Sequence, residues 1–593
     1  MHRHARTERT GVRQGETGQV ARTGWADRLH ARLAGFSRPV RAFAGSPEPR
    51  TIGSFAKGRQ LVSGTFQLAG FLVEDLDRSL WDIPAPDEWF ESELHGFTWL
   101  DDLAAVGDGP ARGCAQAWAH DWVARFGKGE GPGWTPDLTA RRLIRMINHG
   151  PLLLAGRDKP GTAGFFRALG RQTVFLSRRW RSVEGLPRIE ALTGLIHAGH
   201  ALAGMERHLP KAAAALARHC DRQVDSDGAV PSRNPQELME VLTLLTWAEA
   251  ALTDAGRDVP AALRGAIERI APTLRALRHA DGGLARFHGG GRGAEGRLDQ
   301  ALAAAGGRAI TAHGLAMGYA RLAAGRTTVI VDAAAPATGA ASANAHASTL
   351  AMELTSARRP LIVSCGSGAS FGPDWRRAGR ATPLHSTLCV HGHSSSRLDS
   401  ETGLLGSGRG LLAEVPEQVW AQIDSDLDGV RLLAGHNGFA PSHGMTHVRE
   451  LHLSLDGRDL KGEDTLGAMT GPDRKRYEKV IGRLGAEGIR FGIRFHLHPD
   501  VDAALDLGGT AVSMALKSGE IWIFRHDGVG ELSLEPSVYL EQGRLKPRPA
   551  RQIVLSATVL DQACQLGWTL AKAQDTPAAI RDTLRDEDAP KPA

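Results

Sequence analysis

Toward the C-terminal end of the chain, Arg494, His496, His498 and Asp500 alternate with Phe495, Leu497 and Pro499. On a strand, that spacing puts the four polar side chains on one face. Two imidazoles and a carboxylate on one face can ligate a metal or grip sugar hydroxyls, and Arg494 can hold a carboxylate with two parallel hydrogen bonds. The same residues can equally form an internal polar network at a strand end. Arg141, Arg142 and Arg145 occupy about one helical turn, as the wall of an anion-binding cleft or as an exposed basic face. Trp81, Trp89 and Trp99 offer rings for stacking on sugars, or large apolar area for a core. The glycine-rich stretch HGGGRGAEG (288–296) lacks the Gly-Lys-Ser/Thr and the preceding strand of a phosphate loop. It reads as a flexible loop at the rim of a helical domain, with the freedom to act as a lid.

These residues sit in a chain of 593 residues, too long for one core and suited to two large domains. From about 97 to 325 the grammar is helical. In DLTARRLIRMINHGPLLLAG, residues Leu138, Leu143, Ile144, Ile147 and Leu152 recur at helical spacing, and five further segments of similar length follow between Pro and Gly breaks. Helices of equal length with short connections predict stacked hairpins in a bundle, solenoid or toroid. After about Gly325, short segments such as TTVIVDA, STLAMELTS and RELHLSLDG alternate or carry β-branched cores between Asp-Gly and Ser-Gly turns. Many such strands with almost no helix between them predict an antiparallel sandwich. The expected division is a basic, disordered arm over 1–60, a helical domain with a short strand-containing entry over 61–325, the sandwich over 326–570, and a tail over 571–593.

The net charge of +5 is concentrated at one end. Residues 1–60 hold twelve Lys/Arg against four Asp/Glu, which leaves the remaining chain slightly acidic. No continuous apolar run marks that arm as a secretory signal, so the chain as written is expected in the cytoplasm. No stretch is long and apolar enough to span a membrane, and no nucleic-acid partner is expected. Five cysteines without CxxC spacing argue against a disulfide framework.

Several stretches in order resemble the heparinase II/III-like family: HGFTWLDDL (95–103), DLTARRLIRMINHGPLLL (137–154), GLPRIEAL (185–192), DGAVPSRNPQELMEVL (227–242), AHASTLAMEL (345–354), RPLIVSCGS (359–367), LHSTLCV (384–390) and RFHLHPDV (494–501). The likeness spans roughly 60–570. It implies a multidomain α+β chain, an N-terminal (α/α) toroid followed by a C-terminal antiparallel β-sandwich, with a substrate cleft between them. It implies a polysaccharide lyase acting by β-elimination on an acidic, uronic acid-containing, glycosaminoglycan-like polysaccharide, in the periplasm by analogy. The alternative is a catalytically reduced glycan-binding or polysaccharide-export accessory protein. A hydrolase with paired carboxylates is less favoured, because no acidic pair stands out.

Elimination requires a group that neutralises the uronate, a base for the adjacent proton and an acid for the leaving oxygen. In the family, an Asn/His pair on a toroid helix, a Tyr of the next helix pair and a sandwich His fill these posts, and His, Asp and His hold a structural zinc. Carried over residue by residue, the Asn/His position falls in GLPRIEALTGLIHAGH, which has no Asn; Arg188 is the candidate neutraliser there, with Glu190 close by. Glu237 stands at the Tyr position, and Arg233 and Asn234 follow a turn directed at the cleft, with helix capping the other reading of Asn234. Asn344 stands at the catalytic His, and His346 and His385 stand at the two zinc histidines. Ser364 replaces the Asp ligand. The implied catalytic set is therefore His346, His385, Arg188, Glu237 and Asn344. Arg233, Asn234, Arg494, His496 and His498 form the implied substrate contacts. A zinc is implied on His346 and His385, or these two are hydrogen-bonded core histidines.

Overall fold

The computed structural model describes residues 6–7, 22–45, 48–75, 79–307, 314–399 and 410–573. Among the described residues thirteen α-helices precede the large sheets, with a short antiparallel hairpin, Thr65–Leu68 and Phe71–Glu74, between the second and the third: α1 (Trp25–Ala34), α2 (Phe55–Val62), α3 (Glu88–Gly96), α4 (Thr98–Val106), α5 (Gly109–Arg125), α6 (Pro136–Asn148), α7 (Gly150–Leu154), α8 (Lys159–Arg179), α9 (Leu186–Ala201), α10 (Leu209–Gln223), α11 (Pro235–Asp254), α12 (Ala261–Ala276) and α13 (Arg297–Ala305). Their starts are written in the sequence. Proline stands in the first turn of α5, α6, α8, α9, α10 and α11, where its missing N–H costs nothing. Asp108, Asp158 and Asn234 cap three of them, with side-chain oxygens accepting from the first-turn N–H groups. Helices α6, α9 and α11 pack side by side and are buried on most faces, while α8, α10 and α12 lie against them. This is the helical toroid.

The sheets that follow are antiparallel throughout. Strands Leu315–Ala316, Tyr319–Ala324, Thr327–Asp332, Met352–Ser356 and Arg359–Ile362 form a meander. An eight-stranded sheet runs from Val419–Ser425 to Asp502–Asp506, and the last strand of the fold, Ala563–Lys572, inserts between Asp459–Gly467 and Ile521–His526. A four-stranded sheet built around Ile489–His496 and Arg548–Val559 completes the sandwich. Alternation sets the buried face: in Met445–Ser454 and Ala563–Lys572 every second residue points into the core. Gly462 is required opposite Trp568, because a Cβ there would stand 2.1 Å from the indole. Fold class and sandwich topology therefore match the expectation.

Three boundaries differ. Helices α1 and α2 lie inside the segment expected to be an arm, whereas most of residues 1–21 and all of 574–593 fall outside the described residues. After the helices, strand structure resumes at Leu315, before the expected boundary. A helix, Gly471–Leu484, interrupts the sheet region, started by a capping box between Thr470 and Asp473. The two domains share one core: Met317, Tyr319, Ile330 and Ala351 of the meander belong to the same apolar cluster as the toroid helices. That shared core fixes the meander against the start of α11, which is where Arg233, Asn234, Asn344, His346 and His385 converge.

Candidate functional site at the toroid–sandwich junction

Arg233 adopts the left-handed conformation just before α11 and turns its guanidinium toward the meander. It donates to Asp332 Oδ1 at 2.6 Å and to the carbonyls of Met317, Gly318, Ala334 and Ala335, and it stacks on the Tyr319 ring, whose hydroxyl donates back to the Arg233 carbonyl. Asp332 also accepts from Ser348 Oγ (2.7 Å) and lies 3.3 Å from His288 Nε2. Burial alone would raise this carboxyl, but Arg233 and His288 hold it well below the usual carboxylate range. From His288 the chain of contacts continues: its Nδ1 accepts from the His346 backbone N–H (3.0 Å), and His346 Nε2 accepts from the Gly289 N–H (2.9 Å).

His346 and His385 are both fully buried, with ring centroids 5.0 Å apart. Burial, then the neighbouring His385, keeps His346 neutral; burial, then His288, pulls His385 down to about 4. Among the described residues His346 Nδ1 has no hydrogen-bond partner, and His385 Nδ1 meets the Ser364 hydroxyl at 3.2 Å. Two imidazoles and a serine hydroxyl do not make a structural zinc site, which closes with four donors of the thiolate, imidazole or carboxylate kind. Among the described residues no three His, Cys, Asp or Glu side chains group to hold a metal.

The glycine-rich stretch is neither loose nor at a rim. It lies between the first turn of α11 and the sandwich. Gly291 N–H donates to Gln236 Oε1 (2.7 Å), and Cβ atoms on Gly289, Gly290 and Gly291 would stand 2.5–2.8 Å from Asn344, Asn234 and Gln542. Only glycine passes through so narrow a gap, so the stretch is a strap that fills the junction. Asn344 is exposed beside it and accepts from Arg376 at 3.1 Å. Asn234 spends its side-chain oxygen on capping α11, accepting from Gln236 N and Glu237 N. Glu237 is half-buried on that turn, its carboxyl raised by burial and partly lowered again by the Ser232 hydroxyl.

The remaining expected residues lie apart. Arg188 folds back on the loop before α9, donating to the Val183 and Arg181 carbonyls and pairing with Glu184. His496 is held between Ser537 Oγ (2.8 Å) and the Pro383 carbonyl (2.9 Å), and His498 stacks edge-on against Tyr539. Arg494 donates to Gln552, and Asp500 lies beside Lys517 and Arg548. This strand end is an internal polar network. Arg142 is fully buried over the Trp122 ring at 3.9 Å, Arg145 pairs with Asp101, and Arg141 holds Glu190 through two bonds of 2.7 and 3.2 Å. None of the three is the exposed basic face. Trp99 is core, Trp81 donates to the Trp118 carbonyl, and Trp89 alone is exposed.

Sequence reasoning missed a second buried network. Glu353 accepts from Arg286 N and Nε, Ser364 N and His279 Nε2, while Arg286 also meets the Tyr539 hydroxyl. Burial would raise Glu353, but Arg286 and His279 bring it to about 2. The available signal was a carboxylate inside the otherwise apolar run LAMELT, because a charge in a buried strand must be paired.

With this geometry in view, the comparisons place the chain. Residues 307–569 match the family described as heparinase II/III-like, C-terminal. A protein of Caulobacter vibrioides, FtsZ-localized protein C, is 32% identical over 95% of this chain and 96% of its own length. The chain belongs to the heparinase II/III-like family. Among solved structures, heparinase III aligns with a TM-score of 0.64 at 13% identity, over 92% of this chain and 89% of that one. The heparan sulfate lyase HepC of Pedobacter heparinus aligns at 0.54 and 13%, over 93% and 88%. The fold is thus that of polysaccharide lyases. Among the described residues, no helix is long and apolar enough to cross a membrane.

Proposed function

We propose that this protein keeps the lyase architecture for binding rather than for bond cleavage, as a catalytically reduced accessory protein. The observation that carries this reading is the junction itself, where His346 and His385 are fully buried and the glycine strap is bonded onto His346. Elimination needs an accessible acid and base on either side of the scissile bond. The chain has three tyrosines; all are buried, and their hydroxyls are engaged with Arg233, Leu560 and Arg286. Glu237 is the one expected residue with a raised carboxyl near the strap, and it has no equally placed partner. The toroid side is also poor in charge for a uronate. Arg141 stands among Glu93, Asp137, Glu190 and Glu240, and Glu240 further engages Arg297. Such a surface repels acidic sugars and suits neutral or amine-bearing ones.

The full-length likeness to a protein named for its localisation with FtsZ supports a place beside FtsZ, on the cytoplasmic side, and an occupant other than a degraded polymer. The donor set supports a sandwich held without zinc. The test uses the absorbance of the unsaturated uronic product. Heparin, heparan sulfate, alginate and polygalacturonate should each give a flat trace, elemental analysis should find far less than one zinc per chain, and the protein should sediment with FtsZ filaments. A sustained rise in absorbance that disappears in Glu237→Gln would overturn the proposal and restore the lyase reading.

A further inference from the structure

Outside the junction, a concavity lies between the C-terminal end of α8, helix α9 and the start of α10. It encloses about 490 Å³, within the range of ligand and peptide grooves. Its floor is apolar, built from Trp180 and Leu195, and its rim carries Arg181, Lys211 and Arg218 with His208. The three cations are exposed, and among the described residues none has a carboxylate partner. Arg181 lies over the Trp180 ring at 4.4 Å, a cation–π contact that ties its guanidinium to the aromatic part of the floor. The nearby carboxylates are committed elsewhere: Glu184 to Arg188, and Glu206 to the Gly204 N–H. His208 reports the resulting field, its pKa lowered by burial and then by Arg207 and Lys211.

This contrasts with four arginines elsewhere in the toroid, which are matched. Arg141, Arg145 and Arg179 each pair with a carboxylate, and Arg142 is satisfied by carbonyls, Gln172 and an indole. An apolar floor under three unmatched cations is the complement of a chain segment with carboxylates flanking an apolar or aromatic residue. A flat lipid surface would want protruding rather than recessed apolar groups.

We propose that this groove docks an acidic peptide segment of a partner protein, with an apolar side chain on Trp180 and Leu195 and carboxylates on Arg181, Lys211 and Arg218. The inference is independent of whether the junction turns over any substrate, because it concerns a separate surface and is read by binding alone.

The test titrates the full chain against a fluorescein-labelled peptide of Asp and Glu residues around one Phe, and against its Lys-for-acid counterpart, following anisotropy. The acidic probe should bind with an affinity that falls as salt rises, and the basic one should not bind. The double variant K211E/R218E should weaken binding at least about tenfold, since reversing charge adds repulsion to lost attraction. Trp180→Ala should weaken it less steeply with unchanged salt dependence. The control R326E/R358E, at the basic rim of a second hollow beneath the Tyr319–Asp332 hairpin, should leave it unchanged. Lys211 and Arg218 are exposed, so the variant should keep its melting curve, and that measurement accompanies the titration. Equal binding by wild type and K211E/R218E would overturn the proposal. So would binding of heparin or of phosphatidylglycerol vesicles through the same residues when the peptide probe fails.

Discussion

The junction and the outer groove handle charge in opposite ways. At the junction, Arg233, Asp332, Ser348, His288, His346 and the strap form one continuous chain of bonds, so each charged side chain has its partner inside the protein. At the groove, Arg181, Lys211 and Arg218 are exposed over an apolar floor, and their partners are left to solvent or to another molecule. The difference teaches where binding capacity can reside. A polar group fully satisfied within the fold contributes structure, and it can meet a ligand only by giving up what it already holds. The junction between toroid and sandwich is, in these bonds, a structural seam.

The comparison is broken most directly at Asp332. Replacing it with Ala leaves Arg233 and His288 buried without their carboxylate, and removing one partner of a buried pair costs about 3–5 kcal/mol. Chemical denaturation should show that loss for Asp332→Ala, while Lys211→Ala should stay within about 0.5 kcal/mol of wild type, as exposed unpaired side chains do. Comparable losses at the two sites would erase the distinction. The next effect in size is that of acid. His496 has its folded pKa pulled down to about 3 by burial, and burial and then His447 hold His436 well below the ordinary value of 6.5. The unfolded chain therefore binds protons that the folded chain refuses. Stability is fully present above about pH 6.5 and is lost as pH falls below it, by about 1.4 kcal/mol per pH unit for each such histidine. Unfolding midpoints at pH 7.5 and 5.5 should differ accordingly. Binding at the groove should persist over the same range while the fold weakens. A pH-independent midpoint would mean that these histidines already reach water.

Much of the fold was legible because its signals are local. Prolines and Asx caps mark helix starts, and alternation marks the strands that bury one face. The helix Gly471–Leu484 escaped notice because a polar segment between two strands carries little apolar periodicity of its own. The site was legible by type but not by direction. His346 and His385 were recognisable from their surroundings in sequence, yet nothing local tells whether an imidazole faces a cleft or a core. Arg188 opens α9 next to the implied catalytic position, but Glu184, four residues before it, and the carbonyls of the preceding loop draw it backward. Asp332 and Glu353 were missed for a related reason. Each is a single carboxylate in a strand that otherwise reads as buried, and its partners, Arg233 and Arg286, come from segments about a hundred and about seventy residues earlier. Pairing at such separation becomes visible only once the domains are packed together.

The smallest effect gives the sharpest view of the seam, because it asks whether the strap is a fixed plug or a lid. Gly289 has φ +88°, and a Cβ added there would stand 2.8 Å from the Cβ of Asn344. Gly156, with φ +74°, faces open space. Substituting Ala at either position imposes the left-handed backbone cost, about 1 kcal/mol. Only at Gly289 must the new methyl also displace a neighbour and strain the N–H bond onto His346. If the strap is fixed, Gly289→Ala should lose about 1 kcal/mol more than Gly156→Ala in denaturant unfolding, and amide exchange at Gly289 and Gly291 should quicken in that variant alone. A strap free to lift would accommodate the methyl by moving outward, the two substitutions would then cost the same, and those amides would exchange quickly already in the wild-type protein. That outcome would reopen the junction as a binding cleft and remove the contrast with the groove.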